Sequence, residues 1–338
     1  MLPRFPDRLH LAQLPTPLRP LDRLSEQLKG PRIWLKCDDM TGSLLSGNKV
    51  RKLEFTLADA TASGADTIIT CGGLQSNHCR ATAIAGAQLG FNVHLILRGN
   101  ESEAQISDGN LLLDQLAGAN ISIYPPGEYF SQLQSLFEGW DQHYREQGQI
   151  PYCIPTGASD AVGIWGYIAA SYELTQDFNQ LQLNPELIVC PTGSGGTQAG
   201  LTLGFALQNS PVQVFGMAVC DSSQYFFDKV SKDISDWKTR YRSIANNYFN
   251  IENQLSINTI DSYIGPGYAQ GYSEVFETIE LLAKEEGIVL DPVYTGKAFY
   301  GMLAEIKAGS FRNYHDIVFV HTGGIYGLFP YKNEFDHL

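Results

Sequence analysis

The sequence predicts an α/β protein built on two open, twisted, mostly parallel sheets flanked by helices. Three observations carry that expectation. Short apolar runs of strand length alternate with helix-length runs along most of the chain, the pattern of βαβ units. Glycine-rich turns stand at several passages from strand to helix. The nine or ten strand-like runs are too many for one strongly twisted open sheet, which rarely grows beyond about ten strands without splitting.

Taken in order, residues 1–20 are proline-rich and read as irregular, and 21–30 as a short helix closed by Gly30. Residues 33–39 read as a strand leaving a core, and 48–63 as a helix. Strands are then expected at 66–72, 92–98 and 121–124, alternating with helices at 77–89, 106–116 and 130–147. A second series follows, with strands near Cys153 and at 187–190, 212–219, 288–290 and 317–321. Its helices fall at 161–181, 197–207 and 272–286. The polar, aromatic-rich stretch 222–248 reads as helical surface or an oligomer contact. Boundary signals at 152–158 and before Lys49 divide the chain into a large domain, 1–50 plus 156–338, and a small domain, 51–155.

Composition narrows the function. The 338 residues are 43% hydrophobic, enough for a sizeable core, and carry 36 acidic against 23 basic residues, a net charge of −13. No basic run is present to neutralise phosphates, which argues against nucleic acid as a partner. No apolar stretch approaches the roughly 20 residues of a membrane span, and the first thirty residues lack a signal-peptide core. A cytoplasmic protein is expected. The six cysteines form no C-x-x-C pair or zinc-finger spacing and read as buried thiols, with no metal site.

The chemistry is expected in loops. Lys49, in Ser46-Gly-Asn-Lys49, is delivered at a strand-to-helix junction, where an amine can meet a carbonyl as a nucleophile. Pro191-Thr-Gly-Ser-Gly-Gly-Thr-Gln-Ala-Gly200 follows a strong strand and opens a helix, so its amides form an anion cup suited to phosphate. It is no dinucleotide fingerprint, because Gln198 stands where glycine is needed, and no nucleotide P-loop, because Leu201 replaces the lysine. Cys71-Gly-Gly-Leu-Gln-Ser76-Asn77-His78 presents hydroxyl, amide and imidazole at another helix start, where Ser76 also suits an N-cap. His78 has no metal-ligand partner at i+4. Gly265-Pro-Gly-Tyr268, Asp291-Pro-Val-Tyr294-Thr295 and His321-Thr322-Gly-Gly324 complete the set.

An amine at one junction and a phosphate cup on another sheet suit a phosphorylated carbonyl cofactor, and pyridoxal 5′-phosphate fits. On the motifs Ser46 to Phe55, Gly72 to His78, Thr192 to Gly200, Gly265 to Tyr268 and Asp291 to Tyr294, the chain resembles the fold-type II (tryptophan synthase β-like) pyridoxal-phosphate enzymes. Within them it resembles the branch of D-cysteine desulfhydrase and 1-aminocyclopropane-1-carboxylate deaminase. The resemblance implies a cofactor in the interdomain cleft and a homodimer. It implies that Lys49 bonds the cofactor aldehyde, Asn48 adjoins it, and Asn77 holds the phenolic oxygen. Gly193, Ser194, Gly195, Gly196 and Thr197 would grip the phosphate, and Tyr294 would stack on the ring. Ser76, Asn77, His78 and Tyr268 would meet the substrate, with Lys49, Ser76, Tyr268 and Tyr294 catalytic. Lys36, Lys52 and Lys297 rank below Lys49 as the reacting amine.

The resemblance also implies that Thr295, facing the ring nitrogen, and Thr322 contact the cofactor; they stand where the cyclopropane deaminases carry glutamate and leucine, and both match the D-cysteine desulfhydrase pattern. The resemblance therefore implies α,β-elimination, D-cysteine giving pyruvate, sulfide and ammonia. Other readings are a cyclopropane deaminase, another β-substituted-alanine lyase such as a cysteate sulfo-lyase, and a pyridoxal-phosphate binding module without turnover.

Overall fold

The computed structural model describes residues 4–105, 107–245 and 255–335. Two sheets form the frame. The larger has six strands in the order β1 (Leu18–Pro20), β2 (Arg32–Lys36), β10 (Asp316–Val320), β7 (Leu187–Thr192), β8 (Gln213–Ala218) and β9 (Asn258–Ile260). All its pairings are parallel except the antiparallel β1–β2 edge. The smaller is wholly parallel, in the order β5 (Asn120–Tyr124), β4 (Asn92–Arg98), β3 (Thr67–Gly73), β6 (Pro151–Cys153). Central strands β7 and β10 are buried at every residue, as parallel strands covered by helices on both faces must be.

Helix α2 (Asn48–Ala62) joins the two sheets. Its first residue is bonded to the loop after β10, through Asn48 N to Thr322 O at 3.1 Å. Val50, Leu53, Leu57 and Ala60 pack with Ile68, Val93 and Leu95 of the smaller sheet. Helix α3 (Asn77–Leu89) follows β3, and α8 (Gly196–Leu207), buried at all twelve residues, follows β7. Helices α7 (Trp165–Leu181) and α9 (Ser223–Arg240) pack on α8 over one face of the larger sheet, and α12 (Thr295–Ala308) covers the other.

Several expectations need correction. Residues 288–290 form no strand: Ile288 and Leu290 are buried in the core between α11 (Ser273–Glu286) and α12, but β10 already fills the place between β2 and β7. A three-residue apolar run cannot show by periodicity which it is. The strand expected at 33–39 ends at Lys36, and Asp38–Met40 is a 3-10 turn. The helix expected at 21–30 covers Asp22–Leu28, and its C-cap Lys29 takes the left-handed conformation itself (φ 50°) ahead of Gly30. Strands β1 and β9 and helix α12 had no counterpart in the periodicity reading. Stretch 222–248 is not merely surface, since α9 buries Phe226, Val230, Ile234 and Trp237. Its residues 246–248, and Ile106 of the helix expected at 106–116, lie outside the described residues.

Candidate active site

The carboxyl ends of both sheets face one cavity of about 500 Å³. Lys49 reaches it because of Gly47. With φ +107°, and with any Cβ there falling 2.7 Å from Thr322 O, position 47 takes only glycine, and α2 can press against the loop after β10. Lys49 Nζ donates to Asn48 Oδ1 at 2.9 Å and stands 5.8 Å from the Tyr294 ring centroid. Asn48 Nδ2 in turn donates to Thr197 Oγ1 at 2.9 Å, tying the amine's neighbour to the cup. Burial pushes Lys49 down to about 8; Asp291 opposes that shift and Arg80 adds to it.

The competing lysines have other occupations. Lys36 is paired with Glu173 and Asp177, each at 2.6 Å. Lys297 donates to Ile264 O at 2.7 Å and Gly267 O at 2.6 Å, holding the loop that carries Tyr268. Lys52 lies one turn beyond Lys49 on α2 and is 1% exposed. Among the described residues its Nζ bonds only Gly157 O and Ser159 Oγ, both at 3.1 Å, and burial, with repulsion from Lys49, holds it well below the usual lysine range.

The glycine turn after β7 forms a cup. Gly195, the N-cap of α8, has φ +85° and brings no side chain to cap the helix, so first-turn amides remain for a ligand. Gly193, Ser194, Gly195 and Thr197 line the cavity. Gly196 does not; its N–H donates to Ser159 Oγ at 3.1 Å, and that hydroxyl also meets Ser194 Oγ at 2.8 Å. Lys229 donates to Ser159 O at 2.9 Å and pairs with Asp233, so Ser159 is fixed from both sides.

Across the cavity, Ser76 caps α3, its Oγ accepting from Cys79 N at 3.2 Å. Asn77 lines the cavity, with its Oδ1 accepting from Asn110 Nδ2 at 2.9 Å. His78 borders the site without offering it a nitrogen. Thr70 Oγ1 donates to Ile154 O and therefore accepts from His78 Nε2 at 2.8 Å, while Nδ1 is buried without a partner. Burial keeps this imidazole neutral. As a substrate contact His78 is thus poorly placed.

Tyr268 and Tyr294 share a hydrogen bond between their hydroxyls at 2.6 Å, and burial raises both, so both stay protonated. Thr322 lines the cavity. Thr295 does not: its hydroxyl donates to Asp291 Oδ1 at 2.7 Å and accepts from Asp291 N at 2.8 Å. Asp291 also accepts from the amides of Val293, Tyr294 and Thr295, which anchors the start of α12. Periodicity could not show this pairing. The signal for Lys52, by contrast, was legible as helical spacing from Lys49.

These features define an α/β enzyme class that holds a phosphorylated carbonyl group between two sheets. Lys49 and Lys52 make no ion pair among the described residues, and they adjoin the N-terminus of a twelve-residue helix whose cap residue brings no side chain; burial disfavours their charged forms, and a phosphate dianion at that helix start would favour them. These residues fit pyridoxal phosphate: Lys49 lines the cavity as an amine that could meet its aldehyde, and the open amides at the start of α8 could hold its phosphate, with Lys52 behind them and not lining the cavity.

The chain belongs to the pyridoxal-phosphate dependent enzyme family, whose profile matches residues 9–323. It is 40% identical over 328 residues to the bifunctional D-cysteine desulfhydrase/1-aminocyclopropane-1-carboxylate deaminase, mitochondrial, of Arabidopsis thaliana, covering 94% of this chain and 78% of that protein. It is 38% identical to a D-cysteine desulfhydrase of Klebsiella pneumoniae (strain 342), covering 98% of this chain and 97% of that one. A crystal structure of an ACC deaminase homologue superposes with a TM-score of 0.86 at 34% identity, covering 98% of this chain and 95% of that one. Among the described residues no helix is long and apolar enough to cross a membrane, and no group of three or more acidic, histidine or cysteine side chains could hold a metal.

Proposed function

We propose that this chain eliminates the β-substituent of a small amino acid, with D-cysteine as substrate and pyruvate, sulfide and ammonia as products. The observation that carries the proposal is the wall where β10 ends and α12 begins, which among the described residues presents a hydroxyl and no carboxylate to the cavity, Asp291 lying behind it. Thr322 lines it, Thr295 stands behind it bonded to Asp291, and Asp221 is the one acid among the residues lining the cavity. Bound pyridoxal phosphate supplies an electron-accepting ring that stabilises negative charge at the substrate Cα. A wall that presents no carboxylate weakens that acceptor, which suits expulsion of a good leaving group better than opening of a carbon ring.

The chain's own residues supply the rest. Lys49, lowered to about 8, is partly unprotonated near neutral pH and can take the Cα proton. Ser76 Oγ, already accepting from Cys79 N, keeps its hydrogen for a substrate carboxylate at the start of α3. The Tyr268–Tyr294 pair holds a proton beside the amine. As the Cβ–S bond breaks, its electron pair leaves with sulfur, and the 2-aminoacrylate set free takes up water to give pyruvate and ammonia. The two-domain division at about residues 50 and 155, a homodimer and a cytoplasmic location belong to the same reading.

A second reading, ring opening of 1-aminocyclopropane-1-carboxylate, is favoured by the Arabidopsis relative, whose name pairs both activities. Sulfide release from D-cysteine measured beside 2-oxobutyrate release from the cyclopropane acid decides: the expected result is sulfide, and activity on the cyclopropane acid alone overturns the first reading.

A further inference from the structure

Among the described residues that line the cavity, one cation takes no part in the chemistry above. Arg98 is the last residue of β4 and lines the cavity. It pairs in register with Gly73 of β3, whose missing side chain leaves room for the guanidinium: a Cβ at position 73 would lie 3.7 Å from Arg98 Nη2. Among the described residues Arg98 has no carboxylate within ion-pair distance. It rests instead against three aromatic rings, 4.7 Å from Phe130, 4.8 Å from Tyr268 and 5.7 Å from Tyr129. Cation–π contact of this kind holds a guanidinium in place without neutralising it, so its forked donors remain for an anion.

A row of contacts links this cation to the reacting amine. Lys49 stands against the ring of Tyr294, Tyr294 is bonded to Tyr268, and Tyr268 lies under Arg98. The first turn of α3, with Ser76, already offers a seat for the α-carboxylate. Arg98 comes from a different strand, β4, and lines the same cavity.

We infer that Arg98 receives the negative charge carried by, or developing on, the substituent at the substrate's β-carbon, so that the site takes amino acids whose β-group is anionic or departs as an anion. This rests on the β-elimination reading and deepens it. When the Cβ–S bond breaks, the electron pair stays on sulfur, and hydrosulfide or sulfite leaves beside a cation that no protein carboxylate neutralises. A hydrocarbon ring gains nothing from such a neighbour.

The test uses the cofactor-loaded protein and two amine-free ligands, 3-sulfopropanoate and butanoate, compared by titration calorimetry. The wild type is expected to hold the sulfonate about 10- to 100-fold more tightly, the range of a charge-assisted hydrogen-bond pair. R98Q is expected to abolish that preference while still binding butanoate; R98M, which keeps the stem packed on the rings, serves if R98Q does not fold. Equal binding of both ligands by the wild type overturns the inference, as does a preference that survives R98Q. Equal weakening of both ligands in R98Q also overturns it, placing Arg98 on the α-carboxylate. A wild type that releases no sulfide from D-cysteine sinks the functional reading, while the ligand comparison still judges Arg98 by itself.

Discussion

The turns after β3 and β7 are built alike and finished differently. Each carries glycines from a buried parallel strand into the first turn of a helix, and each faces the same cavity. The turn after β3 closes with Ser76, which satisfies an amide of α3 from within the chain. The turn after β7 closes with Gly195, which brings no capping side chain; one amide, Gly196 N–H, is taken by Ser159 of another loop, and the buried Lys52 lies beside it with no ion pair among the described residues. The first carries its capping group in the turn itself and keeps the serine hydrogen for a carboxylate, and the second leaves first-turn amides open to an anion. The difference teaches that a helix start can be read as a ligand seat by what fails to cap it.

The reacting amine between the two turns gives the largest expected effect. Lys49→Ala should lower turnover at least about a thousandfold, within the range for losing a positioned acid–base group, and remove the cofactor's visible absorption band. A variant that keeps the band would show that another lysine bonds the aldehyde.

Next, Lys52→Met should weaken pyridoxal phosphate binding by about 10- to 100-fold, the loss of a cation that the bound phosphate would favour behind the cup, yet raise the melting temperature of the cofactor-free protein by removing a buried amine that has no ion pair among the described residues. Unchanged cofactor affinity would break the contrast between the turns.

The pH dependence has a defined direction. Lys49 titrates near 8 in the folded protein against 10.5 ordinarily, so between those values the unfolded chain holds a proton that the folded state has released. Stability from this group therefore rises with pH through that window, and below about 8 the full penalty applies, at most about 3 kcal/mol. Denaturant melts of the cofactor-free protein should show Lys49→Met gaining on the wild type as pH falls from 10.5 to 8. A difference flat across that range would contradict the burial of the amine.

Gly195→Ala forces φ +85° on a residue with a Cβ 3.2 Å from Lys229 Cγ, and should cost about 1–2 kcal/mol together with phosphate affinity. Ser76→Ala should be smallest in stability, about 1 kcal/mol for a lost N-cap, and should leave pyridoxal phosphate affinity unchanged while raising KM. If Ser76→Ala lowered cofactor affinity as Gly195→Ala does, the two turns would not differ as argued.

Much of this was legible in sequence. Helix 77–89 and strand 92–98 fall where periodicity put them, because a parallel strand and its crossover helix each bury a continuous stripe. Short elements were not: β1 and β9 have three residues each, too few to show a period, and their pairing depends on a distant edge. At the site, Lys49 and the glycine cup were visible as residue types in local order. The partners of Thr295 and His78 were hidden, because Asp291 and Thr70 act through side-chain directions that spacing does not encode. Arg98 read only as the end of a strand.

By itself the sequence determined the alternation of strand and helix, the amine at the start of α2 and the glycine turn at the start of α8, since each depends on chemistry within about ten residues. Tertiary structure decided that residues 49, 98, 195, 268 and 294 surround one volume, and which polar groups inside it are already satisfied. Those outcomes come from packing two sheets against each other, where contacts form between residues more than a hundred positions apart and burial, not residue type, sets the charge an amine can hold.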